Sequence, residues 1–196
     1  MIEKKVYDEL KKKYGEIASW AIWKEPGETP KSNMEDVSMF DSDRILKSLN
    51  PDYVFVGLSG SNVGDGYMDM KRPWHNLHSS NPKSNDFKLR HALMDTPYWG
   101  AYITVAIKDM SPSAAGMMPM YLTENSEVIK RNMKELREEI DTLGTRPTVV
   151  CFGKQTYELV KLYLGKDFVV KQVTHYSSLV GKDAFRAGLL KELSDK

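Results

Sequence analysis

Two stretches of the chain hold side chains whose types and spacing could do chemistry. The first is "YVFVGLSGSNVGDGYMDMKRPWHNLH", from Tyr53 to His78. It begins as an apolar run, breaks into Gly, Ser, Asn and Asp, and closes on Pro-Trp-His-Asn. Small residues let a backbone approach a ligand closely. Trp74 offers a flat face suited to stacking. The second stretch is "DFVVKQVTH", which places His175 just after another apolar run. Small residues, an aromatic and a histidine gathered at one sheet edge would suit a planar ligand. The alternative is that Trp74 and Tyr67 simply close the upper end of the core.

Several other chemistries are excluded by spacing. The glycines at 57, 60, 64 and 66 do not form a G-x-G-x-x-G run that opens into a helix, because the chain meets Pro73 instead. No Gly-Lys-Ser/Thr ends the loop, so it is not a P-loop. Asn62, Asp65 and Asp69 lack the alternating spacing and closing Glu of a calcium loop. "GLSGS" has neither the serine position nor the following helix of a hydrolase elbow. His75 and His78 form an H-x-x-H pair with His91 downstream, but no second ligand cluster supports zinc. Hydrogen-bonded polar histidines, with no metal and no cofactor, are expected. Cys151, the single cysteine, lies in an apolar run and is expected to be a small buried hydrophobe.

These residues must be positioned by regular elements, and the pattern supplies them. Apolar, β-branched runs predict four strands: "DYVFVGL", "WGAYITVAIKD" (Trp99–Asp109), "PTVVCFG" (Pro147–Gly153) and "DFVVKQVTH". They lack alternation, so both faces are expected to be covered. Spacings of three and four predict helices over 2–22, 123–143, 154–165 and 182–193. Ser42 or Asp41 could cap a short helix through "DRILKSL". Strands alternating with helices imply an α/β fold with a mostly parallel sheet. Ligands of such sheets bind beyond the carboxyl ends of the strands, so the loops after the strands carry the site.

With 196 residues, 41% hydrophobic and 28% charged, the composition is that of a globular protein with one real core. The net charge of +1 neither demands nor excludes a polyanionic partner. The first residues are charged and amphipathic rather than a secretory leader, and no run of about 18 apolar residues would cross a membrane. A cytoplasmic protein, monomeric or weakly dimeric, is expected.

The order of these motifs resembles the uracil-DNA glycosylase superfamily. "GLSGS" (Gly57–Ser61) lies where the family has a G-x-[DN]-P motif after its first core strand. "RPWHNLH" (Arg72–His78) is similar to the family's segment bearing a stacking aromatic, "VVCFG" to its third strand, and "THYSS" (Thr174–Ser178) to its His-Pro-Ser motif. The likeness runs from about Asp52 onward. It implies a three-layer α/β/α fold with a four-stranded parallel sheet in the order 2-1-3-4. The chain would be one such domain over 1–196, with 1–50 as an N-terminal helical extension.

The family extrudes a nucleotide and breaks its glycosidic bond while charge moves onto the base. The resemblance implies that His175 stabilises that anion. Gly57, Ser59, Gly60 and Ser61 would line the pocket, with Trp74 or a neighbour, Leu77 or His78, stacking and Asn76 beside it. Ser177 and Ser178 would touch phosphate, and Lys108 would belong to the DNA edge. Three departures stand out: Ser59 replaces the water-activating Asp or Asn, Gly60 replaces one proline and Tyr176 the other. Serine is a poor general base, so Asn62 or Asp65 would have to hold the water. A non-catalytic protein binding a nucleobase, nucleotide or nucleic acid in the same cleft is the alternative. A third reading takes the lysine-rich first helix and Met117–Met120 as a surface for a protein partner.

Overall fold

The computed structural model describes residues 2–59, 72–108 and 126–194. In chain order the described elements are α1 (Lys4–Tyr14), β1 (Ser19–Trp20), β2 (Asn50–Ser59), α2 (Asp86–Leu93) and β3 (Ala101–Ile107), followed by α3 (Ser126–Thr142), β4 (Thr148–Phe152), α4 (Lys154–Leu164), β5 (Val170–Val173) and α5 (Lys182–Ser194). Two 3-10 turns, Ser38–Asp41 and Asp43–Lys47, precede β2. The second is capped by Ser42, whose Oγ accepts the Arg44 N–H.

Among the described residues one sheet runs β1-β3-β2-β4-β5. The strands β3, β2, β4 and β5 are parallel to one another, and β1 is antiparallel on β3. The expected α/β class is what the chain adopts. The expected four-stranded, all-parallel sheet is corrected to a mixed sheet of five strands. The two residues of β1 carry no periodicity of their own, and Ile17 and Ala21 extend the spacing of α1 closely enough to imitate helix. The helix in fact stops at Tyr14, where the Gly15 N–H closes the last turn on the Lys11 carbonyl. Any side chain at Gly15 would press on Pro73, whose Cβ would lie 3.0 Å away.

Successive strand residues face opposite ways, which sorts the apolar side chains into two cores. Val54, Val56, Tyr102, Val149 and Cys151 pack with Leu10 of α1, Met133, Leu136 and Ile140 of α3, and Val160 and Leu164 of α4. Phe55, Ile103, Val150, Phe152 and Val173 pack on the other face with Leu89 and Leu93 of α2 and Phe185, Leu189 and Leu193 of α5. Residues before β2 enter both: Trp20 and Phe40 the first, Ala21, Trp23 and Met34 the second. Helix α2 is an element that periodicity did not reveal. Its eight residues include Asp86, Lys88 and Arg90, all buried, so polar types occupy the face that a pattern search expects to be apolar.

The chain leaves β2 toward β3 on one side and leaves β4 toward β5 on the other. The sheet therefore reverses its winding between β2 and β4. The crevice at their carboxyl ends is where a sheet of this kind holds ligands. None of the described helices is long and apolar enough to cross a membrane.

Candidate functional site

Four described strand ends define the crevice. Ser59 ends β2 opposite Ile107 of β3, and Phe152 ends β4 beside Val173 of β5. Gly153 turns the chain from β4 into α4 at φ +83°, a left-handed conformation that glycine adopts without strain. Its N–H donates to the Val173 carbonyl at 2.8 Å, which ties the two strand ends together. A Cβ at Gly153 would sit 3.8 Å from that of His175, so the turn and the histidine are neighbours.

His175 is half-buried and tightly seated. Its ring stacks on Tyr176 at 4.5 Å and meets the edge of Phe152 at 6.1 Å. The Ser177 backbone N–H points at Nδ1 from 3.1 Å, and the Ser177 Oγ lies 2.6 Å from the same nitrogen. An N–H can only donate, so Nδ1 carries the lone pair. The proton of the neutral ring is thereby placed on Nε2. Burial pushes the His175 pKa down, which keeps the ring neutral. Nε2 has no acceptor among the described residues, so the ring presents a fixed, unused N–H donor.

The turn that carries this ring is braced from both neighbouring helices. The Ser178 N–H donates to the His175 carbonyl at 2.9 Å, and Lys88 of α2 donates to the Ser178 carbonyl at 2.8 Å. Glu192 of α5 accepts both the N–H and the hydroxyl of Thr174 at 2.7 Å. Lys88 and Glu192 were not singled out from sequence. Each is an ordinary charged residue on a helix, and only the packing of α2 against α5 gives it its role.

The other expected site residues fare differently. Gly60, Ser61, Asn62 and Asp65 lie outside the described residues, as do Tyr67 and Met117–Met120. Gly57 pairs with Val105 inside the sheet, where a Cβ would make only ordinary contact with the Val105 side chain at 3.7 Å. Ser59 is half-buried at the strand end. The Ser177 hydroxyl is directed to His175 rather than outward, and the Ser178 Oγ is buried without a partner among the described residues.

Trp74 requires a correction. It is fully buried in the first core, against Tyr7, Trp20 and Tyr102. Its Nε1 donates to the Tyr7 hydroxyl at 2.8 Å, its backbone N–H to the Gly15 carbonyl, and its own carbonyl accepts from Ser19. An indole held on every side has no face for a base. Leu77 and His78, the alternatives for that role, are buried too. Asn76 donates to the Ile17 carbonyl at 2.6 Å and serves the same seam.

Lys108 is also corrected. It lies at the end of β3, but its Nζ turns inward to Glu139 at 2.7 Å, with side-chain exposures of 4% and 0%. Glu139 also accepts from the Tyr102 hydroxyl at 2.8 Å, and the Lys108 N–H donates to Asn132 at 2.6 Å. This cation belongs to a buried network, not to an outer edge.

The histidines of the H-x-x-H pair do not assemble a metal site, and no group of potential metal ligands occurs among the described residues. His75 approaches the Glu35 carbonyl, and His91 pairs with Asp183. His78 lies 2.9 Å from the Asn76 carbonyl through Nδ1 and 2.9 Å from the Ile22 carbonyl through Nε2. Burial outweighs those two acceptors and pushes its pKa down from 6.5 to about 4. A depressed pKa means that the unfolded chain takes up the proton first. The stability that His78 contributes is complete above pH 6.5 and is lost as the pH falls toward 4. The shift corresponds to about 3 kcal/mol. Urea unfolding at pH 7.5 and 4.5 should show that much extra acid loss in the parent relative to His78→Asn. Equal losses in the two proteins would refute the assignment.

Cys151 is buried in the first core, and burial pushes its thiol up to about 12, so it is no nucleophile. No protein-family model matches the chain, and no curated protein shows significant similarity to it.

Proposed function

We propose that this protein is a divergent member of the uracil-DNA glycosylase superfamily that hydrolyses the N-glycosidic bond of an extruded, damaged base in DNA. One observation carries the reading: a neutral, half-buried His175 with its proton held on Nε2 and no acceptor for it, beside the crevice between strand ends. In the reaction the bond from sugar C1′ to the base nitrogen breaks, and its electron pair passes to the base. The charge gathers on a carbonyl oxygen of the ring, where an N–H donor stabilises it. Water adds to C1′, and the proton it gives up passes through solvent to the departing base. Ser177 holds the histidine in the tautomer that this work needs. The α/β class of the chain is compatible with this reading.

The weak point of the chemistry is the water. Ser59 stands at the end of β2 where a carboxylate or amide is expected, and Asn62 and Asp65 are the residues of the adjoining loop suited to hold it. Ser59 favours the second reading, a cleft that binds a nucleobase or nucleotide without cleaving. One experiment separates the two. Purified protein is incubated with single-stranded and duplex oligonucleotides bearing uracil, hypoxanthine or oxidised bases, and base release is measured beside thermal stabilisation by free bases and nucleotides. Release that disappears in His175→Ala is the expected result. Stabilisation without release would replace the catalytic reading with the binding one, and neither signal would remove both.

A further inference from the structure

A second concavity lies on the outer side of α2, with none of its walls shared with the His175 turn. It has a volume of about 320 Å³ and is closed by the 26–30 segment, by α2 and by the first residue of α5. Pro26, Pro30, Phe87 and Met94 give it an apolar wall, Arg90, His91 and Lys182 stand around it as nitrogen groups, and Glu28 is the one carboxylate of its lining. The volume is at the small end of ligand cavities and suits a single ring.

Arg90 is the informative residue. It is only 2% exposed, yet among the described residues it makes no ion pair. Its guanidinium donates to the carbonyls of Lys24 and Ser32 at 2.8 Å and of Pro30 at 2.6 Å. A guanidinium has five N–H donors, and these bonds engage three of them. Carbonyls orient the group but do not neutralise it. Burial pulls its pKa down, and Glu25 acts on it only at a distance. A buried cation without a counter-ion is costly, and an anion beside it offsets that cost. Lys182 is available to help. Its pairing with the adjacent Asp183, at 2.8 Å, is an exposed contact of little energetic weight. The two prolines hold the opposite wall in place before any ligand arrives.

We propose that this cavity binds a small anion with a flat apolar body, an aromatic carboxylate or aryl phosphate, with the ring against Phe87 and Met94 and the charge toward Arg90 and Lys182. The site is independent of base excision.

The test is a titration of protein carrying ¹³C-methyl methionine, with the Met94 signal assigned by Met94→Leu. The probes are benzoate, phenyl phosphate and neutral benzyl alcohol. The expected result is a saturable shift of the Met94 methyl with at least one anion and none with the alcohol. Which anion binds more tightly distinguishes carboxylate from phosphate recognition. Lys182→Ala, a surface change, should raise Kd about tenfold or more, the scale of one charge-assisted hydrogen bond. The proposal is overturned if neither anion shifts Met94, if benzyl alcohol shifts it equally, or if Lys182→Ala leaves Kd unchanged.

Discussion

Replacing His175 with Ala should slow base release by about 10²–10³-fold, the usual cost of deleting one preorganised donor to a developing anion. The loss should fall on kcat and leave KM nearly unchanged, because the hydrogen bond strengthens only as charge reaches the base. Ser177→Ala is the informative companion. Its backbone N–H still faces Nδ1, so it should retain much of the rate, whereas a histidine tuned by the hydroxyl would lose nearly all of it. Acidification offers a second check. Burial depresses the His175 pKa, so the neutral ring should persist below the ordinary histidine range. Protonation would set a new N–H against the Ser177 N–H and drive the ring from its seat. The rate should therefore hold as pH falls to 6.5 and drop only below it. A rate that already falls by half between pH 8 and 7 would assign the titration to another group.

Breaking the Lys108–Glu139 pair should have the largest effect on stability. Glu139→Gln leaves an ammonium of 4% exposure with no carboxylate, and removal of one partner of such a pair typically costs about 3–5 kcal/mol. Lys108→Met strands Glu139 instead and should cost about as much, although the Tyr102 hydroxyl still donates to it. The double substitution should recover most of the loss, because no buried charge is left. A double-mutant cycle by urea unfolding measures this. Additive single losses would show that the two side chains do not share one network.

These two residues also show what could be read from sequence and what could not. His175 was legible because it follows an apolar strand, and strand ends in an α/β sheet converge on one edge. The strands were legible for the same reason: "YVFV", "YITV" and "TVVCF" bury both faces and admit no charge. Lys108 sits at a strand end too, but whether its ammonium faces solvent or Glu139 depends on the angle at which α3 crosses β3. Trp74 was misjudged on a similar ground. A tryptophan after a Gly-rich loop and a proline has the local signature of an exposed loop residue. Its burial depends on α1, with Tyr7, 67 residues earlier, as both neighbour and hydrogen-bond acceptor. Helix α2 was missed because Lys88 and Arg90 are buried through bonds to distant carbonyls, which no periodicity records.

The pairing of β1 has a consequence for how the protein is made. Ser19 pairs in register with Ile103 and Trp20 with Tyr102. On the ribosome the first strand emerges long before its only sheet neighbour has been translated. At about 5–20 residues per second, Trp20 waits several seconds for the surface that will cover it. During that interval α1 has only earlier-made partners such as Phe40 and Trp74 to pack on, and the rest of its apolar stripe waits for the sheet and α3. The last-made strands assemble quickly by local crossovers, while the first-made one must be retained until the sheet exists. Tagging the N-terminus with a bulky fusion should therefore hinder this protein more than tagging its C-terminus, and the comparison of soluble yields would show it.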